Sequence, residues 1–332
     1  MIKTFYFLLF SITLFSANQL FSQVSGCPNA DFSQNSFVNW SGAVGNCCGI
    51  NTPTPTPGGI QPGQHQIMTG GFDPAVTCFA LPTVPPGATY SARVGDGQGV
   101  GAQAARLQYT FTVTPTSNLI IVQYAVVLEN PASHSVMQQP RFEIQLFDQA
   151  GNPIPCTFYQ EAAAQGIPGW GSCGIVQYKN WSTFGVEVTN YIGQTVTLDV
   201  ATGDCSLSGH YGYAYVSASC SSLNLSALYC ENGNSNSATL SAPPGFANYV
   251  WTDASNGAPL GVGQTVYIPN ITQDSVNCAI TSSNGCVATL TTQVLPAEVI
   301  GSIVDSNVCA GNQTLLYNIT SFNNSAVDSV HW

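Results

Sequence analysis

Apolar and polar residues alternate along this chain in short runs, and the clearest run is Arg106 to Val113. There Leu107, Tyr109, Phe111 and Val113 alternate with Arg106, Gln108, Thr110 and Thr112. Side chains on a strand point to opposite faces in turn, so this run predicts a strand with one face on a core and the other in water. The same alternation recurs at Phe142 to Leu146, Phe184 to Val188 and Thr195 to Val200. Leu119 to Leu128 is more uniformly apolar and predicts a central, buried strand. Helical periodicity is almost absent, and Gly, Pro and Asn punctuate the runs. Asp148-Gln149-Ala150-Gly151-Asn152-Pro153 is one such turn, with Gly and Asn for positive φ and a Pro that cannot extend a ladder. The chain therefore reads as all-β.

Residues 23–221 run without a linker and predict one large jelly-roll-like β-sandwich, the ligand-binding module, whose first strand runs from Asp31-Phe32-Ser33 through Trp40. Thr52 to Gly59 is linker-like in composition but lies between cysteines, so it is expected to be an extended surface loop inside that unit. Past Cys220 the basic residues vanish and a repeat begins. Cys230 lies upstream of Tyr249-Val250-Trp251 much as Cys309 lies upstream of Val330-His331-Trp332. A cysteine followed by a tryptophan one strand later resembles Ig-like and PKD-like repeats. The resemblance implies an Ig/PKD-like domain at 222–296 and the start of a second, truncated one at 297–332. In the first of these, Cys230 is expected to pair with Cys286, or failing that with Cys278.

Three features point outside the cell. Residues 1–22 carry Lys3, an apolar stretch from Phe5 to Phe15 and then small and polar residues, the pattern of a secretory signal peptide. No later segment is long and apolar enough to span a membrane as a helix. Twelve cysteines show no Cys-x-x-Cys spacing, and no His-x-x-x-His occurs, so disulfides are expected in preference to zinc. Cys205 and Cys220, and Cys156 and Cys173, bracket short segments and are expected to form local bridges. Adjacent cysteines strain when joined, so Cys47 and Cys48 are each expected to bridge elsewhere, with Cys27 and Cys78 nearest.

Charge narrows the partners. Five basic residues stand against sixteen acidic ones, for a formal net charge of −11. Nucleic acid and polybasic membrane contact are excluded on that balance.

No Gly-x-Ser-x-Gly or His-Glu-x-x-His motif is present, and the four histidines sit in no nucleophile motif, so the chain is expected not to be an enzyme. Glu129, Glu143, Asp148, Glu161 and Glu187 are the carboxylates from which a glycosidase pair would have to come. Sugar binding is the stronger expectation, because aromatic rings stack on pyranose C–H groups while amides and carboxylates read hydroxyls. Trp170 in a Gly/Pro-rich loop, Tyr178, Trp181, His210 and the strand tyrosines Tyr211, Tyr213 and Tyr215 are the candidates. The alternative for the tyrosines is that they line the sandwich core. Calcium is the cofactor considered, as a structural ion held at Asp96 and Asp204 in glycine-flanked turns.

Four segments, Gln66 to Gly71, Tyr90 to Gly95, Tyr178 to Trp181 and Gly203 to Val216, together resemble the opening module of large secreted, PKD/Ig-repeat adhesin-like proteins of Bacteroidota, over residues 27–220. The resemblance implies a secreted or cell-surface adhesin whose first module binds a glycan or another surface or matrix ligand and is displayed on a repeat stalk. It implies no catalytic or ligand-binding residue. Members commonly end in a type IX secretion sorting domain, which implies secretion and anchoring machinery engaged through sequence beyond Trp332. Two alternatives stand beside it: a targeting region for a hydrolase domain beyond residue 332, and a purely structural surface protein.

Overall fold

A computed structural model describes residues 26–47, 59–164, 169–232, 235–294 and 307–309. The expected signal peptide at 1–22, nearly all of the Thr52 to Gly59 loop and the repeat tryptophan Trp332 lie outside the described residues.

The first part of the chain supplies β1 (Trp40–Asn46), β2 (His65–Met68), β3 (Ser91–Val94), β4 (Gln103–Thr112), β5 (Leu119–Glu129), β6 (Arg141–Phe147), β7 (Tyr159–Ala162), β8 (Gly171–Cys173), β9 (Val176–Glu187), β10 (Thr195–Gly203) and β11 (Gly212–Ser221). The second supplies β12 (Ser226–Asn232), β13 (Ser235–Ser241), β14 (Asn248–Asp253), β15 (Pro259–Val262), β16 (Thr265–Pro269), β17 (Ser275–Thr281), β18 (Val287–Gln293) and β19 (Asn307–Cys309).

The fold is all-β. Strands β1-β4-β10-β6-β7 form one antiparallel sheet and β2-β3-β11-β5-β9-β8 another. Period-two alternation turns Leu107, Tyr109 and Phe111 of β4, Val196, Leu198 and Val200 of β10, and Val122, Tyr124 and Val126 of β5 into the space between them. The result is a jelly-roll-like β-sandwich. The uniformly apolar β5 is central, as its composition requires, because both its faces are covered. Strands β16-β13-β12-β19 and β15-β14-β17-β18 form a second sheet pair around fully buried Trp251.

The two cores touch. Leu119 and Ile121 of β5 pack into the second cluster, and Gly185 N–H donates to Gly245 O at 2.7 Å. At that crossing a Cβ on either glycine would meet the other's backbone at 2.9–3.1 Å, so close approach of the two backbones requires glycine.

Three sequence expectations give way. Asp31 to Asn39 is no strand. Asn29, Phe32, Asn35 and Asn39 hold φ of 60°, 59°, 50° and 69°, and the segment winds around Asn29, whose amide donates to Ser36 O and Val38 O. Buried Phe32 stacks on Trp40 at 4.8 Å between ring centroids, and the first strand begins only at Trp40. Arg106 does not face water either. It is buried on the outer face of its sheet, 3.2 Å from Asp199 of β10.

Among the described residues, disulfides join Cys27 to Cys220, Cys78 to Cys173 and Cys156 to Cys286. None of the expected bridges Cys205–Cys220, Cys156–Cys173 or Cys230–Cys286 forms. Cys205 and Cys220 lie at opposite ends of ten-residue β11, a rise of about 30 Å. Cys156 follows β6 of one sheet while Cys173 ends β8 of the other. Cys27 and Cys78, the expected partners of Cys47 and Cys48, are thus taken.

Candidate functional site

The tyrosine strand β11 alternates as its sequence requires, with Ala214, Val216 and Ala218 toward the sandwich core and Tyr213 and Tyr215 on the opposite face. That opposite face is covered. Val76 and Leu81 of the segment between β2 and β3 pack on the tyrosines with Ala125 and Val127, and the Cys78–Cys173 bridge pins the segment to β8. Both hydroxyls donate to one oxygen of Asp73, Tyr213 at 2.7 Å and Tyr215 at 2.8 Å. Asp73 also accepts from the N–H groups of Ala75 and Val76. Burial, with the Asp73 charge second, pushes both phenols above their ordinary range. At 4% and 1% exposure Tyr213 and Tyr215 form a clamp beneath the segment and are out of a sugar's reach. Neither expectation for them, stacking platform or sandwich core, matches this placement. Tyr211 is half-buried beside Tyr213, with its phenol pushed up to about 12 by burial and then by Glu129.

Tyr178 and Trp181 flank the same covered face. Tyr178 stacks on Phe79 at 5.2 Å, and the Trp181 indole N–H donates to Pro82 O at 2.8 Å. Phe79 itself is 40% exposed, so this pair presents aromatic surface.

The other side of β9 carries a second group at the open rim of the sandwich, where the edge strands β7 and β8 of the two sheets end. A break in the β5–β9 register between Tyr124 and Val126 seats Lys179 opposite Val126, on the core side of β9. From there its ammonium pairs with Glu161 and donates to the Tyr159 hydroxyl at 3.0 Å. Tyr124 donates to Tyr159 at 2.7 Å, and Tyr159 in turn donates to Glu161. Burial first, and neighbouring acidic groups after it, push the Tyr124 and Tyr159 phenols above their ordinary range, so both stay protonated as donors.

Trp170, immediately before β8, completes this group. Lys179 Nζ lies 6.0 Å from its ring centroid, against 5.8 Å for Tyr124 and 5.7 Å for Tyr159. Trp170 is half-buried against the core, and its indole N–H is out of contact with water and has no hydrogen-bond partner among the described residues. The side chains of Lys179 and Glu161 stay 18% and 13% exposed, so the group opens to solvent.

Of the seven expected ligand residues, only Trp170 lies in this rim group. His210 sits elsewhere, beside His134. Lys179, Tyr159 and Tyr124 were not among the candidates, and Glu161 was considered only as a hydrolytic carboxylate. The readable signal was the alternation Tyr159-Gln160-Glu161, which puts ring and carboxylate on one face.

Asp96 and Asp204, the calcium candidates, lie near one another, and the Asp96 charge acts on Asp204. Their oxygens accept protein donors: Asp96 from Gln64 Nε2 and Gln98 N, Asp204 from Gly212 N and Gln103 N. Burial pushes Asp204 up to about 7. A cavity of about 300 Å³ lies where the two sandwiches meet, lined by Glu187, Tyr191, Phe246, Ser282 and the Cys156–Cys286 bridge.

No family model matches the chain, and no curated protein matches it. Among solved structures it is similar to the carbohydrate-binding module TmCBM61, solved in complex with β-1,4-galactotriose, at 8% identity and TM-score 0.34, over 59% of this chain and 96% of that one. The carbohydrate-binding module CBM27-1 of Caldicellulosiruptor saccharolyticus, in complex with mannohexaose, is similar at 10% identity and TM-score 0.31, over 57% and 93%. The enzymatically active domain of bacteriophage CBA120 tailspike protein 4 is similar at 11% identity and TM-score 0.31, over 59% of this chain and 21% of that one.

Proposed function

We propose that this chain is a non-catalytic secreted surface protein, adhesin-like, whose first sandwich binds a glycan at the rim between β7, β8 and β9. The observation that carries the reading is the half-buried Trp170 ring beside the Lys179–Glu161 pair, its centroid 6.0 Å from the Lys179 ammonium. A partly exposed aromatic ring, a carboxylate and an ammonium are groups that orient a polyhydroxylated ring. Glu161 is engaged by Lys179 and Tyr159, which suits hydroxyl recognition better than proton transfer. The low identities and TM-scores of the similar structures add no weight, and the proposal stands on these side chains. The second sandwich is proposed as the start of an Ig/PKD-like stalk, and secretion through a type IX route belongs to the same proposal.

The test is capture of glycans and polysaccharides on an array by the oxidised full chain, with calcium and again with chelator. Reproducible capture of a defined glycan supports the reading, and its loss with chelator supports the structural calcium proposed at Asp96 and Asp204. Failure of a folded sample to capture any glycan in either condition overturns it.

A further inference from the structure

The segments that join β5 to β6 and β10 to β11 meet at one end of the first sandwich and bring together His134, Cys205 and His210. One donor atom from each lies within 4.8 Å of the other two. The Cys205 sulfur is 3.5 Å from His210 Nδ1, and the two imidazole rings meet edge to face at 5.0 Å. Around a tetrahedral zinc ion, with Zn–S near 2.3 Å and Zn–N near 2.1 Å, sulfur and nitrogen stand about 3.5 Å apart. The Cys205–His210 edge already has that length.

Three independent features distinguish this group from ordinary packing. The His134 Nδ1 atom is out of contact with water and has no hydrogen-bond partner among the described residues. Cys205 keeps a buried free thiol in a chain whose other described cysteines, Cys278 apart, are in disulfides or at masked side chains. The backbone fixes the geometry in advance: Cys205 N–H donates to His210 O at 2.9 Å, and Ser206 N–H donates across to Gln138 O at 3.1 Å, which ties the two segments together. Beside His134 lies a cavity of about 400 Å³, lined also by Asn130, Gln139 and Ala163.

We propose that His134, Cys205 and His210 bind one zinc-class divalent cation, with the fourth position open to water or an exogenous donor. One thiolate and two imidazoles suit a borderline-soft ion and not calcium. The three ligands escaped the sequence because no short spacing links them: His134 stands in one connection and the Cys205/His210 pair in another.

Titration of the chelator-treated, oxidised full chain with Co²⁺ tests this. The expected result is one equivalent of cobalt with a sulfur-to-cobalt charge-transfer band and intense visible d–d bands, both displaced by Zn²⁺. Loss of an outer-shell partner alone weakens a metal site roughly 10–100-fold, so Cys205→Ala and His134→Ala should each weaken binding by at least about 100-fold. Cys278→Ala, in the second core, should change nothing. Half-buried His134 and His210 keep the test open should the Cys205 variant fold poorly. Absence of the charge-transfer band, or bands of equal affinity in His134→Ala, would overturn the proposal.

Discussion

Cys156 in the first sandwich is bonded to Cys286 in the second, 130 residues later in sequence. The bridge stands with two hydrogen bonds from the Asn284 amide to Cys156 O and Phe158 O, at 2.8 and 3.2 Å. A crosslink over so long a loop restricts the unfolded chain strongly. Its removal in Cys156→Ala/Cys286→Ala should lower stability by about 2–4 kcal/mol. Urea unfolding followed by tryptophan fluorescence checks this, and an unchanged midpoint would show that packing alone joins the two units.

Asp73 is the acceptor that makes the aromatic clamp possible, since two buried hydroxyls and two backbone N–H groups depend on it. Asp73→Ala strands those donors and should cost at least about 3 kcal/mol, each unmet buried donor being worth about 1–3 kcal/mol. Tyr213→Phe alone removes donor and need together and should cost far less. Equal losses in the two variants would contradict the clamp.

Asp199 and Arg106 are close but misaligned: the 3.2 Å contact meets no hydrogen-bond direction at either atom, although Gln108 Nε2 does donate to the other carboxylate oxygen at 2.9 Å. Burial dominates and, with Glu143 nearby, pushes Asp199 up to about 7 against the opposing pull of Arg106. A folded-state pKa above the unfolded value means that the folded protein holds the proton more tightly. This contribution to stability is complete below about pH 4, the usual carboxylate value, and is lost as pH rises through about 7. Asp199→Asn stays neutral and should flatten the slope, so its urea midpoint should fall less than that of the parent between pH 5 and pH 8. Parallel slopes would place Asp199 as an ordinary ion-pair carboxylate.

The strands were legible because their alternation is local, and β4, β5, β6, β9 and β10 all lie where the pattern put them. Alternation says that two faces exist but not what covers each. Tyr213 and Tyr215 are buried by a segment that precedes them by some 140 residues, with Asp73 bonded across sequence separations of 140 and 142. Arg106 looked solvated because Asp199 comes from a strand 93 residues away, a distance visible only from 199 less 106 in the folded pair. The asparagines at positive φ before Trp40 hid a turn inside what looked like a strand. The rim group stayed hidden for a related reason: it assembles from β5, β7, β9 and the residue before β8, and only Trp170 advertised itself by its loop.

Reach into the rim should depend on charge as well as on the ring. Lys179→Met keeps most of the stem but removes the ammonium from Glu161, Tyr159 and the three rings. It should weaken glycan capture by about tenfold, the worth of one charge-assisted hydrogen bond. A variant that folds and binds as the parent does would remove Lys179 from the site.

The most direct measurement is calorimetric titration of an array-selected glycan into the full chain and into Trp170→Phe, a change that keeps an aromatic ring of smaller area. The stacking contact given up by the smaller ring is worth about 1 kcal/mol, so the variant should bind about fivefold more weakly with unchanged stoichiometry and an unfolding midpoint close to the parent's. Equal affinity in the two proteins would contradict recognition of the glycan by Trp170 at the sandwich rim.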